Sequence, residues 1–370
     1  MKRYNVAILG ATGAVGREMM KVLEERQFPI AQLKLLASSR SAGKTILFNG
    51  KEQIIEEARE DSFDGVDIVL GAAENDIAMK YLPIAAAKGA VVVDNSSAYR
   101  LDDDVPLIIP EINPQDVHAH HGIIANPNCA TIIALVAAWP LHQAFGIRRM
   151  IVSTYQAVSG AGVGGIRELN EQMKALSEGS EIPAPQTFQY PIACNLIPQI
   201  GGFNAQGYSS EEMKMQNEGR KIMHLPQLRV NCTCVRVPVM RSHSESITIE
   251  FEREVDVEQA RALLAQAPGV RVVDDPAHSR YPMPLETSDQ DLVFVGRLRE
   301  DISDDTHHSL TFWCCGDQVR KGAATNAVQI AQLLIEKKEK STPPRRNARR
   351  RRYVFQIIRT FYSRLTQTLR

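Results

Sequence analysis

The chain has 370 residues, 44% hydrophobic and 23% charged, an ordinary globular balance with enough length for two domains with sizeable cores. Its formal net charge of zero hides a division: residues 341–370 carry nine arginines and no Lys, Asp or Glu, leaving 34 basic residues against 43 acidic ones before them. No apolar stretch is long enough to span a bilayer, and Met1-Lys2-Arg3 leads into a short strand rather than a signal-type run, so a membrane-spanning or disulfide-stapled secreted class is excluded and reduced thiols in the cytoplasm are expected.

In chain order, Val6-Ala7-Ile8-Leu9 reads as a buried strand. It runs into Gly10-Ala11-Thr12-Gly13-Ala14-Val15-Gly16 and then an amphipathic segment, Glu18 to Glu25. Strand, glycine turn and helix in that order is the context of a dinucleotide fingerprint, here in the variant spacing G-x-x-G-x-x-G. The turn lets the backbone approach a pyrophosphate, which then rests on the helix N-terminus. The next strand, Leu33 to Ala37, is followed by Ser38-Ser39-Arg40-Ser41. An NAD site usually places a carboxylate there for the ribose 2′-hydroxyl; hydroxyls and an arginine suit a 2′-phosphate and favour NADP. A plain polar loop is the competing reading. Further strands at Val66 to Leu70 and Val91 to Asp94 continue a pattern of alternating strands and helices, that of a mostly parallel sheet, up to about Asn126.

Cys129 sits in Asn126-Pro127-Asn128-Cys129-Ala130-Thr131, ahead of the apolar helix Ile132 to Ala138. A thiol at a helix N-terminus is expected to have a lowered pKa and a raised thiolate fraction. The same N–H groups suit an oxyanion if the sulfur attacks a carbonyl. Against this stands the ordinary fate of a lone cysteine, a small buried apolar residue. Gln156 lies between the apolar strand Ile151-Val152-Ser153 and a glycine-rich loop, and Leu176 to Gln189 reads as a loop. Arg236 interrupts a Val-rich strand, Cys232 to Val239, so if buried it needs a partner. His243 stands at the bend between that strand and the next, Ile247 to Phe251, where an imidazole can serve as acid or base near neutral pH. Thiolate, reduced nicotinamide and proton donor together suggest attack on an activated carboxyl to give a thioester, then hydride transfer to a thiohemiacetal that collapses to an aldehyde.

The motifs resemble those of the aspartate-β-semialdehyde dehydrogenase family from the first strand to about Ile335. They are Gly10 to Gly16, Val93-Asp94-Asn95-Ser96-Ser97 with Arg100, Asn126-Pro127-Asn128-Cys129, Ser153 to Gly162, Glu211-Glu212-Met213-Lys214, Cys234-Val235-Arg236-Val237-Pro238, Ser242-His243-Ser244-Glu245 and Lys321-Gly322-Ala323-Ala324-Thr325-Asn326. The resemblance implies an α/β fold, with an N-terminal Rossmann-type dinucleotide-binding domain over residues 1–126 and an α+β catalytic and dimerisation domain over 127–321. A helix over about 322–338 would return to the first domain. It implies Cys129 as nucleophile with Asn128 beside it, His243 as acid/base, and Gln156 orienting the acyl group. Arg236 would grip the substrate α-carboxylate, Arg100 and Lys214 the phosphate, and Glu211 the ammonium. The implied cofactor contacts are Gly10, Thr12, Gly13, Ala14, Val15, Arg40, Ser41, Ser159, Gly160 and Asn326.

The implied reaction is reversible, NADPH-dependent reductive dephosphorylation of L-aspartyl 4-phosphate to L-aspartate 4-semialdehyde and phosphate, by a homodimer or homotetramer with no nucleic-acid partner. N-acetyl-glutamyl-phosphate reductases run the same chemistry but resemble a motif with Gly where this chain has Asn128. A non-catalytic nucleotide sensor is the alternative outside enzymes. No metal site is expected. Cys232-x-Cys234 and Cys314-Cys315 fit strand alternation or burial, and His118, His120 and His121 fit a solvated loop. The tail 341–370 departs from the family. Its apolar residues recur at helical spacing, and a basic amphipathic helix on a membrane or an acidic partner is the minority reading against an appendage without function.

Overall fold

The computed structural model describes residues 2–336. The basic tail and its membrane reading lie outside the described residues. In the first half, β1 (Tyr4–Leu9), α1 (Ala14–Glu25), β2 (Ile30–Ala37), β3 (Thr45–Phe48), β4 (Lys51–Glu57), β5 (Ile68–Gly71), α2 (Asn75–Ala87), β6 (Val91–Asp94) and β7 (Ile123–Ala125) follow one another. They build a seven-stranded sheet in the order β3-β4-β2-β1-β5-β6-β7, parallel throughout except for β3 against β4. The central strands β1, β5 and β6 are short and largely apolar because both faces are covered, and every residue of β5 is buried, whereas β3 and β4 at the edge are mostly exposed. The order reverses between β1 and β5, which opens a crevice at their C-terminal ends.

The second half opens with α3 (Cys129–Phe145), whose run from Ala130 to Ala138 is apolar on every side and accordingly buried throughout. It leads to β8 (Ile147–Gln156), α4 (Gly162–Ser177), α5 (Ser210–Ile222), β9 (Arg229–Arg236), β10 (His243–Phe251), α6 (Val257–Gln266), β11 (Val270–Val272), α7 (Pro284–Thr287), β12 (Val293–Glu300), β13 (Ser309–Gly316) and α8 (Thr325–Ile335). The mixed six-stranded sheet runs β11-β12-β13-β10-β8-β9. Inward residues of β8, β10 and β13, among them Met150, Val152, Ile247, Ile249 and Phe312, pack with α3 in one core. Burial of each such side chain contributes roughly 1.5–3 kcal/mol, so the helix carrying Cys129 is anchored along its length. Both sheets belong to one compact unit that ends at Leu334.

Several boundaries differ from the sequence reading. The strand expected over Cys232 to Val239 is Arg229–Arg236, and the next begins at His243 rather than Ile247. The loop expected from Leu176 starts two residues later, after α4. The helix expected near Ala323 starts at Thr325, because Arg320–Ala324 forms a wide π turn. The Asp317 carboxylate accepts the N–H groups of Val319 and Arg320, and the Asp317 carbonyl accepts that of Gly322. α8 is tied to the first half of the chain by Arg26 Nε donating to Gln332 Oε1 at 2.9 Å and Asn326 Nδ2 donating to Ile108 O at 2.9 Å.

Candidate active site

The glycine turn has the shape a pyrophosphate needs. Gly10 has φ +87°, and a Cβ there would lie 2.5 Å from Ala72 O; one on Gly16 would lie 2.3 Å from Gly10 O. Gly13 is the N-cap of α1, with no side-chain cap and no acidic residue in the first turn, so the leading N–H groups are left for an anion. Arg40 and Ser41 lie in the turn after β2, on the same edge as Gly10 and Ala11, whose N–H groups both donate to Leu36 O. Arg40 is exposed there, and no carboxylate occupies Ser38 to Ser41.

A cleft of about 650 Å³ joins that turn to the nucleophile. Gly13, Ala14 and Val15 line it together with Arg100, Asn128, Cys129, Gln156, Glu211, Lys214 and Arg236, and with Ser159 and Gly160. His243 is fully buried behind Cys129, its Nε2 3.5 Å from Sγ. Gly10, Thr12, Arg40, Ser41 and Asn326 do not line the cleft. Asn326 is buried apart from that lining. Its side chain has no exposure, its Nδ2 donates to Ile108 O and Asn126 Oδ1, and its Oδ1 accepts from Lys321 Nζ. It braces α8.

Cys129 is the first residue of α3, as the Pro127 entry and the apolar run foretold, but the expected low pKa is not met. Burial, with the Glu211 carboxylate adding to it, pushes the thiol up to about 12, against the pull of Arg100, Lys214 and Arg236. The helix terminus is also partly spent: Asn128 Oδ1 accepts the N–H of Thr131 at 3.1 Å. Burial, aided by the nearby Arg236, lowers His243 to about 3, with Glu211 opposing. The resting pair is therefore a neutral thiol beside a neutral imidazole, not a thiolate–imidazolium pair.

The charged walls come from α5 and β9. Ser209 and Glu212 form a capping box that starts α5, and Glu211, Lys214 and Glu218 then recur along one of its faces. Glu211 accepts from Asn128 Nδ2 at 2.8 Å, Gln156 Nε2 at 3.3 Å and Lys214 Nζ at 2.9 Å. Burial works against its charge, but Lys214 and these bonds outweigh it and hold the carboxyl at about 2. Glu218, buried, accepts from Arg100 Nη1 at 3.1 Å and from the Asn128 N–H at 2.7 Å. Arg100 Nε is buried without a partner, a donor left over for an anion. Arg236 donates to Ala157 O at 2.6 Å and lies over the Phe188 ring, 5.7 Å from its centre. Among the described residues it has no carboxylate partner within 4 Å, so its fork is open to a ligand.

Three residues of this site escaped the sequence reading. Glu218 was legible in principle, since it follows Glu211 and Lys214 at helical spacing. Ala157, whose N–H meets His243 Nδ1 at 3.1 Å, carries no side-chain signal. Gly322 stands where the π turn crosses Cys129, and a Cβ there would lie 2.8 Å from Cys129 Cβ and 3.2 Å from its Cα. The Cα is backbone and the Cβ is fixed to it, so neither can swing away and Gly322→Ala must displace the nucleophile. We expect kcat to fall by about 10²-fold, as for a misplacement near 1 Å, with NADPH affinity, read by fluorescence titration, little changed.

The chain is similar to known proteins. The family of semialdehyde dehydrogenase NAD-binding domains matches residues 5–120, and that of semialdehyde dehydrogenase dimerisation domains matches residues 139–321. The aspartate-semialdehyde dehydrogenase of Aquifex aeolicus is 51% identical over 336 residues, which is 90% of this chain and 98% of the relative. The chain belongs to the aspartate-semialdehyde dehydrogenase family. Among solved members, enzyme II of Vibrio cholerae, complexed with ASA, superposes with a TM-score of 0.88 at 46% identity over 91% of this chain and 100% of that one. The Candida albicans enzyme, solved with NADP, gives 0.68 at 25% identity over 90% and 98%. Among the described residues of this family member, no cluster of metal-ligating side chains occurs and no helix is long and apolar enough to cross a membrane. The Cys232 and Cys234 sulfurs lie 3.6 Å apart, unbridged and buried on β9.

Proposed function

We infer that the chain catalyses the NADPH-dependent reductive dephosphorylation of L-aspartyl 4-phosphate to L-aspartate 4-semialdehyde, reversibly, in the biosynthesis of aspartate-derived amino acids. The observation that carries this reading is the single cleft joining an uncapped helix terminus to Cys129 within a ring of Arg100, Lys214, Glu211 and Arg236. NADPH, when bound, supplies the hydride that reduces the thioester. Gly13 to Val15 would hold its pyrophosphate, Ser159 and Gly160 would border the nicotinamide end, and Arg40 with Ser41 would meet the 2′-phosphate.

The chain's own groups do the rest. Cys129 is acylated by the substrate. Arg100, with its unpaired Nε, and Lys214 bind the phosphoryl group. Arg236 clamps the α-carboxylate and Glu211 the ammonium, while Gln156 and Asn128, both bonded to Glu211, orient the acyl group. Residues 1–126 serve the cofactor and 127–321 the chemistry and self-assembly, as a homodimer or homotetramer in the cytoplasm. The test follows NADP⁺ reduction with aspartate semialdehyde and phosphate, beside the N-acetylglutamate semialdehyde analogue. Rapid reduction with the first and little with the second is expected. Activity on the analogue alone overturns the substrate, and activity on neither favours a sensor.

A further inference from the structure

Cys129 and His243 come from separate elements, α3 and β10, yet Sγ and Nε2 lie 3.5 Å apart. Their spacing is set by whatever grips both segments, and one carboxylate does. Asp317 follows β13 directly, has no exposure and does not line the cleft. Its Oδ1 accepts the N–H groups of Val319 at 2.9 Å and Arg320 at 3.1 Å, which shapes the π turn. Its carbonyl accepts the N–H of Gly322 at 3.0 Å, and Gly322 is the residue pressed against Cys129. Its Oδ2 accepts Arg241 Nε at 2.6 Å and the Asp289 N–H at 2.7 Å. Arg241 stands two residues before His243. Between them Ser242 has φ +72°, a left-handed backbone that costs a serine energy unless it is held. Its N–H donates to Gln318 Oε1 at 2.8 Å, so the residue after Asp317 takes a second grip on the same bend. His243 itself pairs across the sheet with Gly316, the residue before Asp317.

We propose that Asp317 is a positioning residue for the reaction: one oxygen holds the π turn against Cys129, the other holds the bend that delivers His243, and the gap between the two is fixed. All four groups that meet this side chain are N–H donors, so it needs two acceptor oxygens at once, which among side chains of its size only a carboxylate offers. The bond from Arg241 is charge-assisted, and a donor left unmade at this depth is costly, so both grips resist loosening. Asp317 acts through Gly322 and through Arg241, and a misplacement near 1 Å at the nucleophile is worth about 10²-fold in rate.

This rests on the acyl-enzyme reading above and says what holds its reacting groups in place. The test uses the full-length protein and NADP⁺ reduction with aspartate semialdehyde and phosphate. Asp317→Asn keeps the shape but offers one acceptor oxygen. That oxygen stays with the guanidinium, the stronger donor, and the amide N–H₂ then faces the N–H groups of Val319 and Arg320. We expect kcat to fall about 10–100-fold, with KM for aspartate semialdehyde and NADPH affinity within about twofold of wild type. A second step probes the grip on the turn. Gly322→Ala, expected to cost about 10²-fold alone, should cost less than about fivefold when added to Asp317→Asn, because the released turn can back away from Cys129. Asp274→Asn is the control. That carboxylate is as well buried, accepts from Arg261 and from the N–H groups of Arg297 and Leu298, and does not line the cleft. Its variant should keep kcat within about twofold. Unchanged kcat in Asp317→Asn, no cost from Gly322→Ala in wild type, an undiminished cost in the double variant, or an equal loss in Asp274→Asn each overturns the proposal. Should Asp317→Asn fail to fold, Arg241→Met takes its place: it frees the bend before His243 and leaves the Oδ1 bonds to the turn, so kcat should fall at least about tenfold, and an unchanged kcat overturns the proposal. Wild type that reduces NADP⁺ with neither aldehyde would overturn the acyl-enzyme reading too, a failure distinct from any shown by the variants alone.

Discussion

Cys129→Ala should lose at least about 10⁴-fold in turnover while binding NADPH nearly as well as wild type. The sulfur is the strongest nucleophile among the described residues lining the cleft: Gln156 and Asn128 are amides, Glu211 is a tethered carboxylate, Lys214 is paired with it, and the Ser96 and Ser159 hydroxyls are already donated to Asp94 and Met240 O. The other five cysteines offer no substitute. Cys232, Cys234, Cys314 and Cys315 are buried in the second sheet, and Cys194 lies in the exposed segment between α4 and α5. The cofactor turn is built by a separate segment, Gly10 to Gly16, so fluorescence titration with NADPH should give a dissociation constant within about twofold of wild type, about 0.4 kcal/mol. Mass spectrometry after mixing with aspartyl phosphate should find the acyl adduct on wild-type Cys129 and none on the variant. A variant that still turns over at more than about one hundredth of the wild-type rate would remove the covalent route altogether.

The neutral resting pair also changes how pH should act. With the thiol near 12 and the imidazole near 3, neither group of the free enzyme titrates between these values. The acylation rate of free enzyme should therefore lack the bell centred near neutrality that a thiolate–imidazolium pair would give, and its acid limb should follow the substrate phosphate instead.

What the sequence made legible, and what it hid, divides by the range of the interactions. The run from Val6 to Gly16 was readable because strand, turn and helix lie within one short segment, and steric demand at Gly10 leaves a direct mark on residue type. The helix after Pro127 was readable for the same reason. The thiol's electrostatics were not: they depend on Glu211 and on enclosure, both supplied by distant segments. The π turn before α8 depends on a buried carboxylate, Asp317, capping the chain that follows it, which no periodicity reveals. Asn326 stood in a motif tied to the cofactor, yet its amide was drawn inward by Ile108, Asn126 and Lys321. Residue type foretold which side chains mattered better than which partner each would take.

Arg236→Leu is the sharpest probe of substrate recognition. The guanidinium is 5% exposed, held by Ala157 O and the Phe188 face, and lacks a carboxylate partner among the described residues. Burial lowers its pKa, while the Glu211 carboxylate works to hold its charge in place. In the free enzyme this desolvated charge lacks a close counter-ion, and a ligand anion would complete the site. Removing one partner of a desolvated charge pair costs about 2–5 kcal/mol, so kcat/KM for aspartate semialdehyde should fall about 10²–10³-fold. Part of any loss could come from the Ala157 carbonyl, which the variant leaves without its donor beside His243. The comparison that separates the two causes uses 3-aminopropanal, the same aldehyde without the α-carboxylate. Wild type should discriminate against it strongly, and Arg236→Leu should handle both aldehydes almost alike. Arg236→Lys should recover only part of the lost discrimination, because a point charge cannot reproduce a planar fork meeting a planar carboxylate. If the leucine variant instead lost the same factor on both aldehydes, Arg236 would be a brace for the His243 loop, and the carboxylate would have to be bound elsewhere in the cleft.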